Sequence, residues 1–388
     1  MATVKRYTTK SGEVLWEVRY RTPERGTTRK RGFKTKRAAE DHATGVENDK
    51  LTGAYVAPSK ARTTVGELGP GWLARQRGHL KPSAYKPLET TWRLRVEPRW
   101  GRIALGDIRP SSVQAWLSDL GAGDPENEVK PLGASVVIRT HQVFSGILAD
   151  AVKDRMLASN PAAGMKLPRK GRKRPLYLTH EQVAALAEAA GEHEGLVLTL
   201  AYTGIRWGEM AALRVRDLDM LRRRITVHEN AVEVGSRVHV GTTKGHKLRT
   251  VPVPAFLLPY LARQCEGKGR DDLVFPGEDG DHIPRPHTES GWLDKAVTKA
   301  KVPRATAHDL RHTAASLAVS AGANVKALQK MLGHASAAMT LDVYADLFDD
   351  DLDAVAIALD HARTSRSVSK VCPRGVHEGP QQPEKPAK

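Results

Sequence analysis

The sequence predicts a multidomain α+β protein in which helices predominate and small β-sheets lie in separate regions. Its 388 residues are enough for two or three domains. Alternation of apolar and polar residues, the pattern of half-buried strands, is confined to the first sixty residues and to residues 224–253. Elsewhere apolar residues recur at helical spacing. We therefore expect a small β-sheet plus helix N-terminal module, then an all-α domain, then a mainly α domain with a small β-sheet.

The first module, residues 1–58, contains two strand-like runs, VLWEVRYR at 14–21 and TTRKRGF at 27–33, followed by a predicted helix at 36–50. The strands carry five basic side chains, namely Arg19, Arg21, Arg29, Lys30 and Arg31. A β-sheet can enter the major groove of DNA, where such side chains contact phosphates or bases. A solvated face on a small β-module is the alternative, and the pattern supports both equally.

Residues 63–163 show helical periodicity and carry no recognisable catalytic motif, so we expect a helical domain. Residues 164–175 are predicted to form a basic linker, because Pro and Gly interrupt the sequence KLPRKGRKRP. Its Arg169, Lys170 and Arg172 are candidates to lie along a phosphate backbone. A soluble hinge is the alternative.

The third domain is predicted over residues 176–362. It opens with Thr179 and Gln182, a capping-box pair that marks a helix start. Three short strands, at residues 224–227, 238–240 and 249–253, are expected to form one small sheet, and helices follow from about residue 290. Residues 363–388 lack apolar periodicity, and we expect them to be disordered.

The formal net charge of +17 favours a polyanionic partner, most commonly nucleic acid, although a solubilising surface or basic tail is the alternative. The two cysteines, Cys265 and Cys372, are too few for a disulfide framework or a multi-cysteine zinc site. The opening sequence MATVKRYTTK has no signal-peptide core, and no apolar stretch is long enough for a bilayer. We expect a cytoplasmic protein without membrane contact.

Two segments of the third domain carry cationic side chains at turns. In AYTGIRWGEM, residues 201–210, Gly204 is expected to end one helix and Arg206 to begin the next, where free N–H groups favour an anion. In the turn TTKGHK, residues 242–247, Lys244 is expected at the tip, where it can donate a proton, and Lys247 is its rival. Taken alone, each is more often a plain surface residue.

A further segment, HDLRHT at residues 308–313, places His308 and Arg311 on one helix face. It is followed by His334, just beyond the predicted helix cap Gly333, and by Tyr344.

The histidines at 308, 312 and 334 raise the question of a metal site. The zinc-protease pattern requires Glu directly after the first histidine, where Asp309 stands, and Arg311 would repel a cation. We therefore predict neither a metal nor a cofactor.

Together these side chains meet the needs of phosphodiester attack by an oxygen nucleophile. Two arginines can clamp the non-bridging oxygens with forked, charge-assisted hydrogen bonds. A tyrosine phenol, whose ordinary pKa is about 10, needs nearby positive charge and a histidine to favour its deprotonation. A lysine can protonate the leaving sugar oxygen.

In these motifs, T-G-x-R-x-x-E-x-x-x-L at residues 203–213 and HDLRHT…LGH…Y at residues 308–344, the chain resembles the tyrosine recombinases of the phage integrase type. By matching position, the resemblance implies Arg206 and Arg311 as phosphate clamps, Lys244 as general acid, His308 as general base, His334 as second histidine and Tyr344 as nucleophile. It also implies an arm-type DNA-binding module at 1–58, a core-binding clamp at 63–163 and a catalytic domain at 176–362.

The function expected from this resemblance is site-specific DNA recombination that integrates or excises a phage or mobile element through a 3′-phosphotyrosyl intermediate. The implied partners are double-stranded DNA at core-type and arm-type sites, a homotetramer on DNA, a host DNA-bending protein and an excision factor. A single-site type IB topoisomerase would share the chemistry. A non-catalytic DNA-binding regulator would lack at least one of Arg206, Arg311 and Tyr344, and all three are present.

Overall fold

The computed structural model describes residues 2–23, 25–124, 126–171, 175–235, 237–242, 248–287 and 289–344, with the single residues 357, 359, 360 and 363. The chain divides into two compact units. One comprises Met1–Lys173 with Val234–Ser236, and the other comprises Arg174–Glu233 with Arg237–Lys388.

The first unit begins with a three-stranded antiparallel sheet in the order β1-β2-β3, followed by a helix. These elements are β1 (Thr3–Thr8), β2 (Val14–Arg21), β3 (Thr27–Phe33) and α1 (Lys36–Thr52). Val18 and Tyr20 on β2 pack against Ala39, Ala43 and Val46 of α1 in a small core. The predictions of β2, β3 and the helix are confirmed, while β1 was not predicted.

The rest of this unit is helical, as predicted, and has its own core. Its helices are α2 (Pro58–Ala61), α3 (Val65–His79), α4 (Pro82–Thr91), α5 (Glu97–Trp100), α6 (Pro110–Ala122) and α7 (Ala134–Lys153). A π-helix, Trp92–Val96, joins α4 to α5. The aromatic centre consists of Trp100 stacked on Phe144, with Trp116 edge-on to both.

Residues 165–171, within the predicted linker, contain no helix or strand. Gln114 on α6 holds the start of this segment, since its side chain accepts a hydrogen bond from the Lys166 N–H at 2.8 Å and donates one to the Lys166 carbonyl at 3.1 Å. Arg169 and Lys170 are exposed. Arg172 lies outside the described residues.

The second unit is mainly helical. Its helices are α8 (His180–Ala189), α9 (Glu194–Thr203), α10 (Trp207–Ala211), α11 (Leu258–Cys265), α12 (Trp292–Ala300), α13 (Ala307–Ser320), α14 (Val325–Leu332) and α15 (Ala337–Tyr344). Helix α9 is buried almost all round and packs against α8 and α13. The capping box of Thr179 and Gln182 forms as predicted.

The strands of the second unit form two sheets, and the expectation of one sheet was wrong. The strands are β4 (Leu218–Asp219), β5 (Arg224–Val227), β6 (Glu229–Val234), β7 (Arg237–Thr242) and β8 (Arg249–Pro252). Strand β5 lies between β4 and β8, while β6 and β7 pair with each other. The predicted strand at 238–240 lies within β7, and its partner is the unpredicted β6. Strand β8 begins with Arg249, which belongs to the site described below.

The predicted disordered tail, residues 363–388, lies outside the described residues apart from Arg363. Within the part of the chain that the structure describes, every helix is too short or too polar to cross a membrane.

Candidate active site

The junction between α9 and α10 positions Arg206. Gly204 ends α9 in the left-handed conformation, with a φ of 63°, and a Cβ there would approach Leu332 Cδ2 to 2.8 Å. Glycine is therefore required both for the backbone turn and for close packing. Arg206 follows in extended conformation as the N-cap of α10. Its side chain is about one-third exposed, and its Nη1 donates to Glu209 Oε1 at 2.8 Å.

Glu209 is a buried carboxylate that holds two arginines in place. Besides the bond from Arg206, it accepts a bidentate pair from Arg249 at the start of β8, with Nη1–Oε1 and Nη2–Oε2 distances of 2.9 and 2.6 Å. Burial raises the pKa of Glu209, but the hydrogen bonds and charges of Arg249 and Arg206 outweigh it and bring the pKa to about 2. Glu209 is thus ionised at neutral pH and fixes both guanidinium groups.

Arg311, on α13, is buried and joins two helix ends. Its Nη1 donates to the Gly204 carbonyl at the end of α9, and its Nη2 donates to the Leu332 carbonyl at the end of α14, at 2.6 Å. Burial and the positive charge of Arg206 lower its pKa to about 9, which still leaves it protonated at pH 7. Because helix C-terminal carbonyls carry partial negative charge, they stabilise the guanidinium in this position.

Gly333 and His334 follow directly after α14. Gly333 has a φ of 66°, and a Cβ there would approach Arg249 Cδ to 2.9 Å. The predicted glycine cap is confirmed. His334 Nδ1 lies 3.0 Å from Thr340 Oγ1, a buried hydroxyl on α15. Burial and the positive charge of Arg311 lower the pKa of His334 to about 4, so its ring is neutral at pH 7.

Tyr344 is the last residue of α15 and is only 1% exposed. Its ring lies parallel to that of His334, at a centroid distance of 6.3 Å. Its hydroxyl lies 2.9 Å from Nδ1 of His312, one turn along α13 from His308. Burial raises the pKa of Tyr344 to about 12, although the charge of Arg311 acts in the opposite direction.

His308 and Asp309 form the first turn of α13. Asp309 accepts hydrogen bonds from the N–H and hydroxyl of the N-cap Thr306, so its carboxylate completes a capping box. The His308 ring is exposed and meets the His312 ring edge-on, at a centroid distance of 4.7 Å. Among the described residues, no group of three or more His, Cys, Asp or Glu side chains is arranged to hold a metal ion.

The structure thus brings together Arg206, Arg311, His334 and Tyr344, and it links His308 to Tyr344 through His312. Lys244 and its rival Lys247 lie outside the described residues. The sequence reasoning gave no role to three site residues, namely Glu209, Arg249 and His312. Two of these residues could have been found from the sequence, because Glu209 lies within the first motif and His312 lies four residues after His308. Arg249 lies in no motif.

The basic side chains of the N-terminal sheet do not share one face. Arg19, Arg29 and Arg31 lie on the face away from α1, where the buried Glu17 accepts hydrogen bonds from Arg19 Nε and Arg31 Nε, both at 2.8 Å. Lys30 pairs in register with the buried Val18 and therefore points to the opposite face. Lys30 is therefore not part of the basic face, because the side chains of a strand alternate between the two faces. The fifth basic residue, Arg21, is exposed and shares the face of Arg19 by the same alternation.

Residues 177–350 match the phage integrase family. The tyrosine recombinase of Thermosipho africanus is 31% identical over 259 residues, covering 65% of this chain and 85% of that protein. The integrase of Mycobacterium phage D29 is 27% identical over 310 residues, covering 76% of this chain and 79% of the phage protein.

Two solved structures share the fold. The Tn1549 transposon integrase in complex with transposon right end DNA is similar at a TM-score of 0.62 and 22% identity, over 76% of this chain and 100% of that one. The lambda integrase tetramer bound to a Holliday junction gives a TM-score of 0.55 at 16% identity, over 85% of this chain and 95% of that one. The sequence relatives define the class of the protein as a tyrosine-type site-specific recombinase. The chain belongs to the tyrosine recombinase family.

Proposed function

We propose that this recombinase is an integrase that cuts and rejoins double-stranded DNA through a covalent link between Tyr344 and a 3′-phosphate. The observation that carries the proposal is the electrostatic environment of the phenol. Arg206 and Arg311 both act to lower the pKa of Tyr344, and the Arg311 guanidinium donates to the carbonyl of Gly204, two residues before Arg206. Positive charge in a half-buried site stabilises the negative charge that develops on a phosphoryl group under attack.

The two arginines have different roles in this proposal. Arg311 is fixed by two carbonyls, so it supplies a rigid positive charge beneath the phosphate. Arg206 is more exposed and uses Nη1 for Glu209, which leaves its other donors for non-bridging oxygens. Lys244 would protonate the leaving 5′-oxygen, as the matching motif position implies, and His334 would support Tyr344 through ring stacking.

Tyr344 must leave its buried position to meet a phosphate. The described conformation, with 1% of the side chain exposed, is therefore a resting state in this proposal, and DNA binding would release the end of α15. Rejoining reverses the chemistry, because the free 5′-hydroxyl attacks the phosphotyrosine and restores the phenol.

For the wider assembly, we propose the arrangement that the sequence resemblance implies. We propose that residues 63–163 and 176–362 hold the core-type site, with the basic linker residues Arg169, Lys170 and Arg172 along its backbone. Residues 1–58 would hold an arm-type site through Arg19, Arg21, Arg29 and Arg31. Four copies would act together on two DNA sites to integrate or excise a phage or mobile element, with a host DNA-bending protein and an excision factor as further partners.

The test is covalent capture on a nicked suicide substrate that carries the attachment site flanking the chain's own gene. Tyr344→Phe should bind this DNA normally and form no adduct on a denaturing gel. Tyr202→Phe is a matched control, because Tyr202 also pairs with a histidine, at 2.7 Å from His180 Nδ1, and is not part of the proposed site. An adduct that persists in Tyr344→Phe would place the nucleophile elsewhere.

A further inference from the structure

We propose that Glu17 is a positioning residue for DNA binding by the N-terminal sheet, because its carboxylate holds Arg19 and Arg31 in the orientation that contacts phosphates. The inference rests on the proposed function of residues 1–58 as an arm-site module. Glu17 lies on the central strand β2 and shares the sheet face of Arg19, away from α1. Its side chain is nevertheless only 3% exposed.

An acidic side chain at the centre of this face needs an explanation. Glu17 stands in register between Lys5 on β1 and Arg31 on β3. Within the three strands, it is the one acidic side chain on a face with five basic ones, namely Lys5, Arg19, Arg21, Arg29 and Arg31. A carboxylate repels phosphates, and its burial costs free energy unless it is well paired. Neither attraction of DNA nor stability alone accounts for it.

The contacts of Glu17 indicate what it does. Its Oε1 accepts a hydrogen bond from Arg19 Nε and its Oε2 accepts one from Arg31 Nε, both at 2.8 Å. The two arginine side chains remain about half exposed. Because each arginine uses Nε for the carboxylate, its Nη1 and Nη2 groups are left to donate to phosphate oxygens. Arg31 is held further by the ring of Tyr7, whose centroid lies 5.3 Å from Cζ.

Glu17 acts through the arginines and not on DNA itself. A carboxylate that recognises cytosine must accept a hydrogen bond from the base. Both oxygens of Glu17 already accept from arginines, and the side chain is covered. The hydrogen bond from Arg31 also lowers the pKa of Glu17 below its ordinary value, against the effect of burial, so the carboxylate is ionised at pH 7.

Replacing Glu17 by glutamine has two effects of opposite sign. Removing a negative charge from the DNA-binding face would strengthen binding by simple electrostatics. Losing the carboxylate would leave two long side chains to be ordered when DNA binds, which weakens binding. If Glu17 is a positioning residue, the second effect is the larger one. The direction of the change in affinity therefore tests the inference.

The experiment titrates the full chain with labelled duplexes tiled across the DNA that flanks its own gene. The arm-type duplex is the one whose affinity falls in the Arg19→Ala, Arg31→Ala variant. Glu17→Gln should bind this duplex about 5- to 100-fold more weakly, the cost of ordering two long side chains. The slope of log affinity against log salt should stay at the wild-type value, because both arginines still contact phosphates.

A merely structural role would give a different result. If Glu17→Gln disrupted the sheet, the salt slope would fall as it does in the double alanine variant, and Glu17→Gln would weaken binding further in that background. A positioning role predicts no further weakening there. Glu40→Gln is the matched control and should bind as the wild type, since it removes the same charge from α1, where Glu40 pairs with Lys36 at 3.2 Å.

Equal or tighter binding by Glu17→Gln, or a lowered salt slope, would overturn the inference. If hydrogen exchange shows that β2 no longer pairs in this variant, Arg19→Lys with Arg31→Lys replaces it, because lysine keeps the charge but has no Nε fork. Weaker binding at an unchanged slope is then expected, and wild-type affinity would contradict the inference. If no duplex loses affinity in the double alanine variant, the arm-site role of the sheet itself is refuted.

Discussion

The buried carboxylate of Glu209 allows a quantitative prediction about what holds the site together. Glu209→Gln keeps the shape of the side chain but removes its charge, so Arg249 and Arg206 lose their anionic partner. We expect the catalytic unit to lose stability at pH 7. The loss should be mainly electrostatic, because the amide can still accept a hydrogen bond.

The magnitude follows from the pKa of Glu209, which is lowered from 4.5 to about 2 in the folded protein. At about 1.36 kcal/mol for each pKa unit, the ionised form contributes about 3 kcal/mol to folding at pH 7. Because the folded pKa is the lower one, this contribution is complete above pH 4.5 and is lost as the pH falls towards 2. At pH 3.5 about 2 kcal/mol should remain.

The assay is hydrogen–deuterium exchange in peptides that cover α9 and α10, with urea dependence to obtain the opening free energy, because a chain of several units does not unfold in one step. The matched control is Glu229→Gln, which removes a partly exposed partner of Arg214 at 3.8 Å and should cost less than about 1 kcal/mol. A Glu209→Gln effect below about 1 kcal/mol at pH 7, or one equally large at pH 3.5, would refute the reasoning.

Two further predictions rest on the structure, and two rest on the motifs in the sequence. Gly333→Ala should destabilise the catalytic unit by about 1–3 kcal/mol in the same exchange assay, because its φ of 66° is strained for alanine and its Cβ would press on an arginine; an unchanged free energy would refute this. In salt titrations of arm-site binding, Arg19→Ala with Arg31→Ala should reduce the slope of log affinity against log salt by about 1.8, at about 0.9 for each phosphate contact. Lys30→Ala, on the opposite face, is the control and should leave the slope unchanged. Lys244→Ala should slow cleavage by about 10² or more, and a 5′-bridging sulfur should rescue it; rescue confined to the equivalent variant at position 247 would reverse the assignment. Cleavage should also survive EDTA, and a loss restored by magnesium or zinc would contradict the arginine-based mechanism.

The fold was predictable where one element carries its own pattern. The alternation in VLWEVRYR gave the bounds of β2, and the pair Thr179 and Gln182 marked the start of α8. Strand β1 was missed because its short sequence, TVKRYT, is dominated by polar residues and is recognisable as a strand mainly through its pairing with β2. The division of the strands of the second unit into two sheets was missed for a similar reason, since the partner of a strand depends on register and not on composition.

The same distinction applies to the site. The motifs around Arg206 and Arg311 lie within single helices or turns, so their spacing could be interpreted directly. The pairing of Glu209 with Arg249 joins residues forty positions apart, and that of His312 with Tyr344 joins residues thirty-two apart. No local periodicity encodes such pairs. They depend on how α10 packs beside β8 and how α13 packs beside α15.

The charges of these pairs explain why the site contains a carboxylate at all. Arg206, Arg249 and Arg311 carry three positive charges and Glu209 carries one negative charge, which leaves two positive charges, while His312 and His334 are neutral at pH 7. A phosphodiester carries one negative charge, and its pentacoordinate state after phenolate attack carries two. In the proposed mechanism, and leaving aside Lys244, which would give its proton to the leaving oxygen, the net charge of these groups matches the transition state better than the bound substrate, which is the condition for catalysis. Without the negative charge of Glu209, all three arginine charges would be unbalanced. They would stabilise the bound substrate as well as the transition state, and their mutual repulsion would destabilise the folded protein.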